Sequence, residues 1–192
     1  MDHNVYVEYL RGRSLLALAY RRLYLYPRLC RHLHGCALDV GCGIGDMLAF
    51  RPDTVGVDIN PRLVAWCISR GLEAKPMDSD SLPFGAGTFD SAIMDNVLEH
   101  IAHPDTLLRE IHRVLVPGGH FVVGVPGERG FSSDPDHKVY YDEEALRRAM
   151  SGAGFESVAI LYAPFHSVWL SRRMSQYCLY GVFRRSMPDN TR

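Results

Sequence analysis

The sequence contains no C-x-x-C pair and no internal repeat. Its five cysteines are an odd number, which argues against a complete disulfide framework and a zinc ribbon and favours a reducing compartment such as the cytoplasm. The longest apolar run near the amino terminus, LLALAY, is far too short to span a bilayer, and no secretory cleavage pattern accompanies it. We therefore expect a cytoplasmic protein without a membrane span.

The composition is that of an ordinary globular domain. Hydrophobic residues make up 47% of the 192 residues and charged residues 22%, and a chain of this length can bury one core without covalent support. Positive charge is concentrated at the ends, with six arginines against two acids in residues 1–34 and five against one in residues 172–192. Two solvated helices beside an acidic centre would explain this pattern, and so would two ends that meet and attract an anionic substrate.

Short β-branched runs alternate with helical patterns along the chain. Strands separated by helices predict a parallel sheet with right-handed crossovers, whose ligand lies beyond the carboxyl ends of the strands. The last two strands predict an antiparallel pair. The predicted strands cover residues 36–40, 54–58, 72–76, 89–94, 120–125, 156–163 and 177–184, and the predicted helices cover 61–70, 104–116 and 142–153.

The stretch ALDVGCGIGD places three glycines directly after the first predicted strand. Glycine permits close approaches that a Cβ forbids, so Gly41, Gly43 and Gly45 predict a ligand lying against the main chain. Their G-x-G-x-G spacing is one residue tighter than the dinucleotide fingerprint, Asp46 would repel a diphosphate, and no Walker lysine follows. The loop is better suited to a ligand that carries an ammonium and a sulfonium group.

With the segments that follow it, this stretch resembles the first motif of the small-molecule branch of class I S-adenosylmethionine-dependent methyltransferases. The resemblance covers roughly residues 36–162. The further motifs, in order, are VGVDIN (55–60), MDSDSLPF (77–84), TFDSAIMDNVLEHI (88–101), LLREIHRVLVPGGHFVVGVP (107–126) and HKVYYDEEALRRAMSGAGF (137–155).

The resemblance implies an α/β fold, namely a single Rossmann-like three-layer domain. Its seven-stranded, mostly parallel sheet would have the order 3-2-1-4-5-7-6, with the last strand antiparallel. We predict an N-terminal helical cap over residues 1–35, the S-adenosylmethionine-binding domain over 36–185 and a flexible tail over 186–192. Only the eight residues DMLAFRPD separate Gly45 from the second strand, where the family usually has a helix of three turns. Pro52 shortens this helix further, so the pocket is expected to be more open there or covered by the N-terminal segment.

The resemblance also implies the cofactor S-adenosylmethionine, with S-adenosylhomocysteine as product. Asp39 would anchor the loop and the cofactor's ammonium group, Asp58 would accept hydrogen bonds from the ribose hydroxyls, and Asp78 would accept one from the adenine amino group. Ile59 would pack on the adenine face. The predicted cofactor-binding residues are Asp39, Gly41, Cys42, Gly43, Gly45, Asp58, Ile59, Met77, Asp78, Ser79 and Asn96.

Methyl transfer from a sulfonium needs alignment of the acceptor, and a base when the acceptor is a hydroxyl. His100 is the candidate base, although a structural role would also explain it, and His137 lies in a polar loop that could cover the acceptor. Some related O-methyltransferases hold a divalent ion with E-x-x-E-H, but Asn96 replaces the first acid here. The sequence therefore predicts His100 and His137 as catalytic residues and no metal site.

These features predict methyl transfer to a small-molecule acceptor, with a hydroxyl oxygen as the preferred atom. The acceptor could be anionic or sugar-linked, because arginines are concentrated at both ends, whereas the acidic centre argues against a nucleic acid. The protein would be a monomer or a homodimer. Two alternatives stay open at this point: an inactive cofactor-binding partner of another subunit, and an NAD-dependent oxidoreductase.

Overall fold

The computed structural model describes residues 15–187. The predicted cap therefore begins, and the predicted tail ends, outside the described residues. The first helical stretch consists of α1 (Leu15–Tyr20), a π-helical turn (Arg21–Leu25) and α2 (Tyr26–Cys30). The remaining helices are α3 (Asp46–Phe50), α4 (Pro61–Ser69), α5 (Asp105–Val114), α6 (Glu128–Ser132), α7 (Glu143–Gly152) and α8 (Val168–Ser171), with a 3₁₀ turn at Leu98–His100.

One seven-stranded sheet forms the centre of the fold, in the order β3-β2-β1-β4-β5-β7-β6. Strand β7 runs antiparallel to both β5 and β6, while the other pairs are parallel. The predicted fold class and strand order are therefore confirmed. The strands are β1 (Ala37–Val40), β2 (Thr54–Asp58), β3 (Ala74–Pro76), β4 (Phe89–Asp95), β5 (Leu115–Pro126), β6 (Phe155–Ala163) and β7 (Cys178–Arg185).

Helices cover both faces of the sheet because side chains alternate along its strands. In β4, Ala92 and Met94 face a core that includes α5 and α7, whereas Ile93 faces the opposite core with Tyr26 and Leu29 of α2. All five residues are at most 3% exposed. The sheet is thus the middle of three layers. No helix within residues 15–187 is long and apolar enough to cross a bilayer.

Local capping residues determine several helix ends. The Asp142 side chain accepts a hydrogen bond from the Ala145 amide at 2.8 Å and caps α7, and Gly154 follows that helix with a φ of +87°. The Asn60 side chain caps α4 in the same way, through the Arg62 amide at 3.1 Å.

The predicted helix over 104–116 was wrong at its end. Helix α5 stops at Val114, and Leu115 already has the extended φ and ψ of −76° and 148°. Leu115 pairs with Phe89 of β4, and the pairing then shifts register before Ser91 meets His120. Strand pairing on both sides of the Pro-Gly-Gly segment thus ended the helix two residues before the predicted point.

Candidate functional site

The glycine loop begins where β1 ends, and its three glycines all adopt left-handed backbone angles. The φ values are +76° at Gly41, +55° at Gly43 and +81° at Gly45, a region that residues with a Cβ rarely adopt. A Cβ on Gly41 would also lie 2.5 Å from Cγ2 of Val97. Gly41 and Gly43 remain partly exposed. The loop therefore presents main chain, rather than side chains, at the end of the first strand.

Asp58, the last residue of β2, connects this loop to the neighbouring strand. Its carboxylate accepts hydrogen bonds from the amide of Gly43 at 2.9 Å and from the amide of Asn60 at 2.8 Å. The Asp58 carbonyl accepts another from the Met77 amide at 3.1 Å, which joins the ends of β2 and β3. Because a carboxylate can accept about four hydrogen bonds, Asp58 also has capacity for a ligand.

The far edge of the site, beyond β2 and β3, is open to solvent. Ile59 is 64% exposed although its neighbours Asp58 and Asn60 are buried. Asp78 and Ser79 are exposed as well, in a turn where Asp78 forms an isolated bridge with Ser81. The edge thus combines an apolar surface with a carboxylate. A heteroaromatic ring could pack on the apolar surface, and its amino group could donate to the carboxylate.

Two buried acids lie on the other side of the loop. Burial raises the pKa of Asp39 well above its usual range, and the carboxylates of Asp95 and Asp58 raise it further. Asp95, the last residue of β4, is held by the Arg21 guanidinium at 3.1 Å and by the Tyr180 hydroxyl at 2.9 Å. The region around the loop is consequently acidic and favours a ligand with positive charge.

Asn96 follows Asp95 and is the only residue other than glycine in 15–187 with a positive φ, at +56°. Its amide donates to the Gly124 carbonyl at 2.9 Å, and its side-chain NH₂ donates to Asp95 at 2.8 Å. These bonds hold Asn96 in an uncommon conformation at the carboxyl end of β4, where ligand sites of such sheets lie.

Three side chains come together after β4. His137 Nε2 lies 3.8 Å from Oε1 of Glu99, and the rings of His100 and His137 have centroids 4.6 Å apart. Burial raises the pKa of Glu99 to about 8. Burial also lowers the pKa of His100, and the neighbouring His137 lowers it further, so that the His100 imidazole is neutral at pH 7.

A cleft of about 380 Å³ reaches the glycine loop from the side of the N-terminal helices. It is lined by Arg21 and Tyr26 from the helical stretch, by Asp46 at the start of α3 and by Trp66 and Arg70 near the end of α4. Helix α3 has only five residues, which agrees with the prediction that Pro52 shortens it. The described part of the N-terminal helical stretch thus lies on the side of the glycine loop where α3 is short.

The eleven predicted cofactor residues all lie at or just beyond the carboxyl ends of β3, β2, β1 and β4, which are consecutive in the sheet. The structure also brings His137 to His100, although a full strand and helix separate them in the chain. Sequence reasoning missed the pairing of Arg21 with Asp95 and the burial of Glu99. No local pattern marks either, because both depend on contacts between distant segments.

Comparison with known proteins gives three kinds of match. A family model described as a methyltransferase domain matches residues 6–160. The fatty-acid O-methyltransferase of Mycolicibacterium smegmatis is 40% identical over 134 residues, which are 64% of this chain and 44% of that protein. A protein of the same organism named as an S-adenosylmethionine-dependent methyltransferase is 29% identical over 167 residues, or 79% of this chain and 63% of that one.

Among solved structures, a chain from the complex of the Haloferax volcanii Trm112 methyltransferase activator with a methyltransferase has a TM-score of 0.75. The identity is 17%, with 96% of this chain and 98% of that chain covered, so this likeness supports the fold alone. The chain spans less than two thirds of the length of the curated relatives that it matches.

Proposed function

The chain belongs to the S-adenosylmethionine-dependent methyltransferase family, and from this premise we propose that it transfers a methyl group to a hydroxyl oxygen of a small molecule by in-line displacement. The name of the fatty-acid O-methyltransferase relative supports oxygen as the acceptor atom. The observation that carries the proposal is the hydrogen bond of 2.9 Å from the Gly43 amide to Asp58. It joins an exposed stretch of main chain to a carboxylate at the neighbouring strand end.

On this proposal the cofactor lies across four strand ends. Gly41 and Gly43 provide a surface without Cβ atoms for the methionine part, and its ammonium group would favour the ionised form of the buried Asp39, whose pKa is raised by burial. Asp58 uses its remaining acceptor positions for the ribose hydroxyls. The exposed Ile59 covers one face of the adenine, and Asp78 accepts from the adenine amino group.

The acceptor would approach from the side of β4. When bound, S-adenosylmethionine supplies a methyl group already activated by its sulfonium. The protein therefore has to align an acceptor oxygen, exclude water and manage the acceptor's proton. His100 and His137 are the proposed catalytic residues, because their rings lie 4.6 Å apart and His100 follows β4 by five residues. The lowered pKa of His100 favours its neutral ring, which keeps a lone pair.

Positive charge lines the cleft that reaches the glycine loop and would favour an anionic group of a molecule bound there. Arg70 lies over the Trp66 ring, 5.6 Å from its centroid, and both line the cleft. Other arginines of the two basic ends have partners, for example Arg28 with the Pro164 carbonyl at 3.1 Å and Arg184 with Glu156 at 2.8 Å.

Two measurements test the proposal. Isothermal titration with S-adenosylhomocysteine should show one site per chain, and a dinucleotide should not compete. Incubation with S-adenosylmethionine and a panel of hydroxylated and anionic small molecules should then yield S-adenosylhomocysteine and a methylated acceptor. Preferential binding of NAD would contradict the cofactor assignment. Cofactor binding without turnover on any acceptor, together with a stable complex with another subunit, would favour an inactive partner instead.

A further inference from the structure

Three side chains with metal-ligating groups form a cluster beside the proposed cofactor site. None of the three is a predicted cofactor-binding residue. Glu99, His100 and His137 each offer one ligand atom, and these atoms lie within 4.8 Å of one another. The Glu99 side chain is only 1% exposed. Neither of its carboxylate oxygens has a hydrogen-bond partner among the described residues. Burying a carboxylate without a donor costs free energy, and a bound cation would offset that cost.

We propose that Glu99, His100 and His137 bind one divalent transition ion of the Mn²⁺, Fe²⁺, Co²⁺ or Zn²⁺ class, which orients and activates the acceptor hydroxyl. The role of the ion rests on the proposed function, whereas its binding does not. The proposal departs from the sequence-based prediction of no metal site. That prediction counted only the ligands around Asn96, and the structure adds His137 from a distant loop.

The two histidines have the hydrogen bonds that metal-binding histidines need. Nδ1 of His137 lies 2.9 Å from the Phe131 carbonyl oxygen, and Nδ1 of His100 lies 3.4 Å from the Asp136 carbonyl oxygen. Because a carbonyl oxygen only accepts, each Nδ1 carries the proton and each Nε2 keeps a lone pair. Metal-bound histidines are usually oriented by such a second hydrogen bond.

The separation of the ligand atoms suits one shared ion. Bonds of about 2.1 Å allow two ligand atoms on one ion to lie up to about 4.2 Å apart. Nε2 of His137 and Oε1 of Glu99 are 3.8 Å apart, which is within this limit and too long for a direct hydrogen bond. A pair separated by the full 4.8 Å must close by at least about 0.6 Å to share one ion.

The fold holds this arrangement through the main chain. The amides of Lys138 and Val139 both donate to the Glu99 carbonyl, at 2.8 and 3.1 Å. The residue just before them, His137, is therefore fixed beside the 3₁₀ turn. The Phe131 ring stacks on the His137 ring at a centroid distance of 5.4 Å. Both contacts position the ligands without any help from an ion.

The donor set indicates which ions bind. One carboxylate and two imidazoles suit Mn²⁺, Fe²⁺, Co²⁺ and Zn²⁺, whereas Ca²⁺ and Mg²⁺ prefer sites made of oxygen. Three protein ligands leave coordination positions free for a substrate, as in catalytic metal sites. The Asp134 carboxylate lies 3.9 Å from His137 Nε2 and is 36% exposed, so it can hydrogen-bond to a metal-bound water or acceptor.

The ion would lie next to the methyl donor. Val97, two residues before Glu99, lies against the glycine loop at Gly41. An acceptor hydroxyl bound to the ion loses its proton to solvent more readily, because the cation stabilises the alkoxide. The alkoxide oxygen forms the new bond to the methyl carbon while the carbon–sulfur bond breaks, and its electron pair returns to sulfur, which leaves a neutral thioether.

Metal binding can be measured without any acceptor. The full chain, treated with a chelator and dialysed, is titrated with Mn²⁺ while electron paramagnetic resonance reports the free ion, and with Co²⁺ while visible absorption reports its coordination. We expect one ion per chain. Glu99→Gln and His137→Gln should each weaken Mn²⁺ binding at least tenfold. His103→Gln, an exposed histidine three residues beyond His100, should bind as the unaltered protein does.

Titration of the same samples with S-adenosylhomocysteine separates this proposal from the proposed function. Cofactor binding without metal binding at millimolar Mn²⁺ and Co²⁺ would overturn the metal site alone, as would equal Mn²⁺ affinity in Glu99→Gln, His137→Gln and His103→Gln. Metal binding without cofactor binding would overturn the proposed function and leave the metal site standing. Should Glu99→Gln fail to fold, His137→Gln provides the same comparison.

Discussion

The guanidinium of Arg21 lies 3.1 Å from the carboxylate of Asp95, and this ion pair joins the N-terminal helical stretch to the carboxyl end of β4. The two side chains are only 20% and 15% exposed. Burial alone would lower the pKa of Arg21, but Asp95 together with Tyr26, Tyr180 and Asp46 more than offsets this and raises it. Asp95 in turn lies near the buried Asp39. The ion pair thus both attaches the helical stretch and compensates the negative charge beneath the glycine loop.

Arg21→Met should destabilise the protein by about 3 kcal/mol, because breaking a buried pair leaves Asp95 without its counter-charge. Urea denaturation followed by circular dichroism measures the loss. Adding Asp95→Asn should restore part of the stability, since the uncompensated charge is then gone. The neighbouring Arg22 is exposed, so Arg22→Met should change the free energy of unfolding by less than about 0.5 kcal/mol. Equal effects of the two arginine variants would contradict this account.

Gly41→Ala should reduce both stability and cofactor affinity. A left-handed backbone costs a residue with a Cβ about 1–2 kcal/mol, and the new methyl would also lie 2.5 Å from Val97. Gly71→Ala is the matched control, because Gly71 has a similar φ of +73° with nothing within 4 Å of the added Cβ. Gly71→Ala should therefore lose only the free energy associated with the left-handed backbone.

Val97→Ala in the Gly41→Ala background tests the steric part of this prediction. Removing the two methyl groups of Val97 should recover stability if the contact at 2.5 Å is the cause. Chemical denaturation of the two single variants and the double variant measures the coupling between the positions. Strictly additive effects would show that the steric explanation is wrong.

Asp58→Ala should weaken S-adenosylhomocysteine binding by about 1–3 kcal/mol, or roughly 5- to 150-fold, because charged hydrogen-bond partners lose their acceptor. Isothermal titration measures the change. Part of it will come from the loop, since Asp58 also holds the Gly43 amide at 2.9 Å. Asp53→Ala, an exposed acid just before β2 and at its opposite end, is the control and should bind as the unaltered protein does. Unchanged affinity in Asp58→Ala would count against the ribose assignment.

Histidines outside the site should make a destabilising contribution in acid. Burial lowers the pKa of His32, His112 and His120 below the ordinary value of 6.5. At these three positions the unfolded chain therefore binds more protons than the folded one as the pH falls from about 6.5, which decreases the free energy of unfolding. Glu99 and Asp39 contribute with the opposite sign, because their raised pKa values let the folded chain bind protons that the unfolded chain does not. Denaturation at pH 7.5, 6.5 and 5.5 measures the slope.

His120→Gln should remove part of this histidine contribution and so make the protein less sensitive to acid than the unaltered protein, whereas the exposed His103→Gln should leave the pH dependence unchanged. His120 is the informative position because its ring faces His34, with centroids 5.0 Å apart, and its Nδ1 lies 3.3 Å from the His32 carbonyl oxygen. A slope that is the same in both variants would assign the acid sensitivity to other groups.

Local chemistry in the sequence was enough for much of the fold. Asp142 and Gly154 mark the two ends of α7 because a side-chain acceptor and a left-handed backbone act within one turn. Alternation of strands and helices predicted the sheet. The end of α5 could not be predicted, because the extended state of Leu115 depends on pairing with Phe89.

The same distinction, between features with a local pattern and features that depend on distant contacts, applies to the site. The pattern of strands and glycines was sufficient to predict that the main chain at Gly41, Gly43 and Gly45 lies beside Asp58, since parallel strands bring their carboxyl ends to one edge. The contacts of Arg21 with Asp95, 74 residues apart, and of His137 with Glu99 follow from the folded chain alone. Such contacts depend on the paths of loops and on packing between layers, and neither of these produces a local pattern in the sequence.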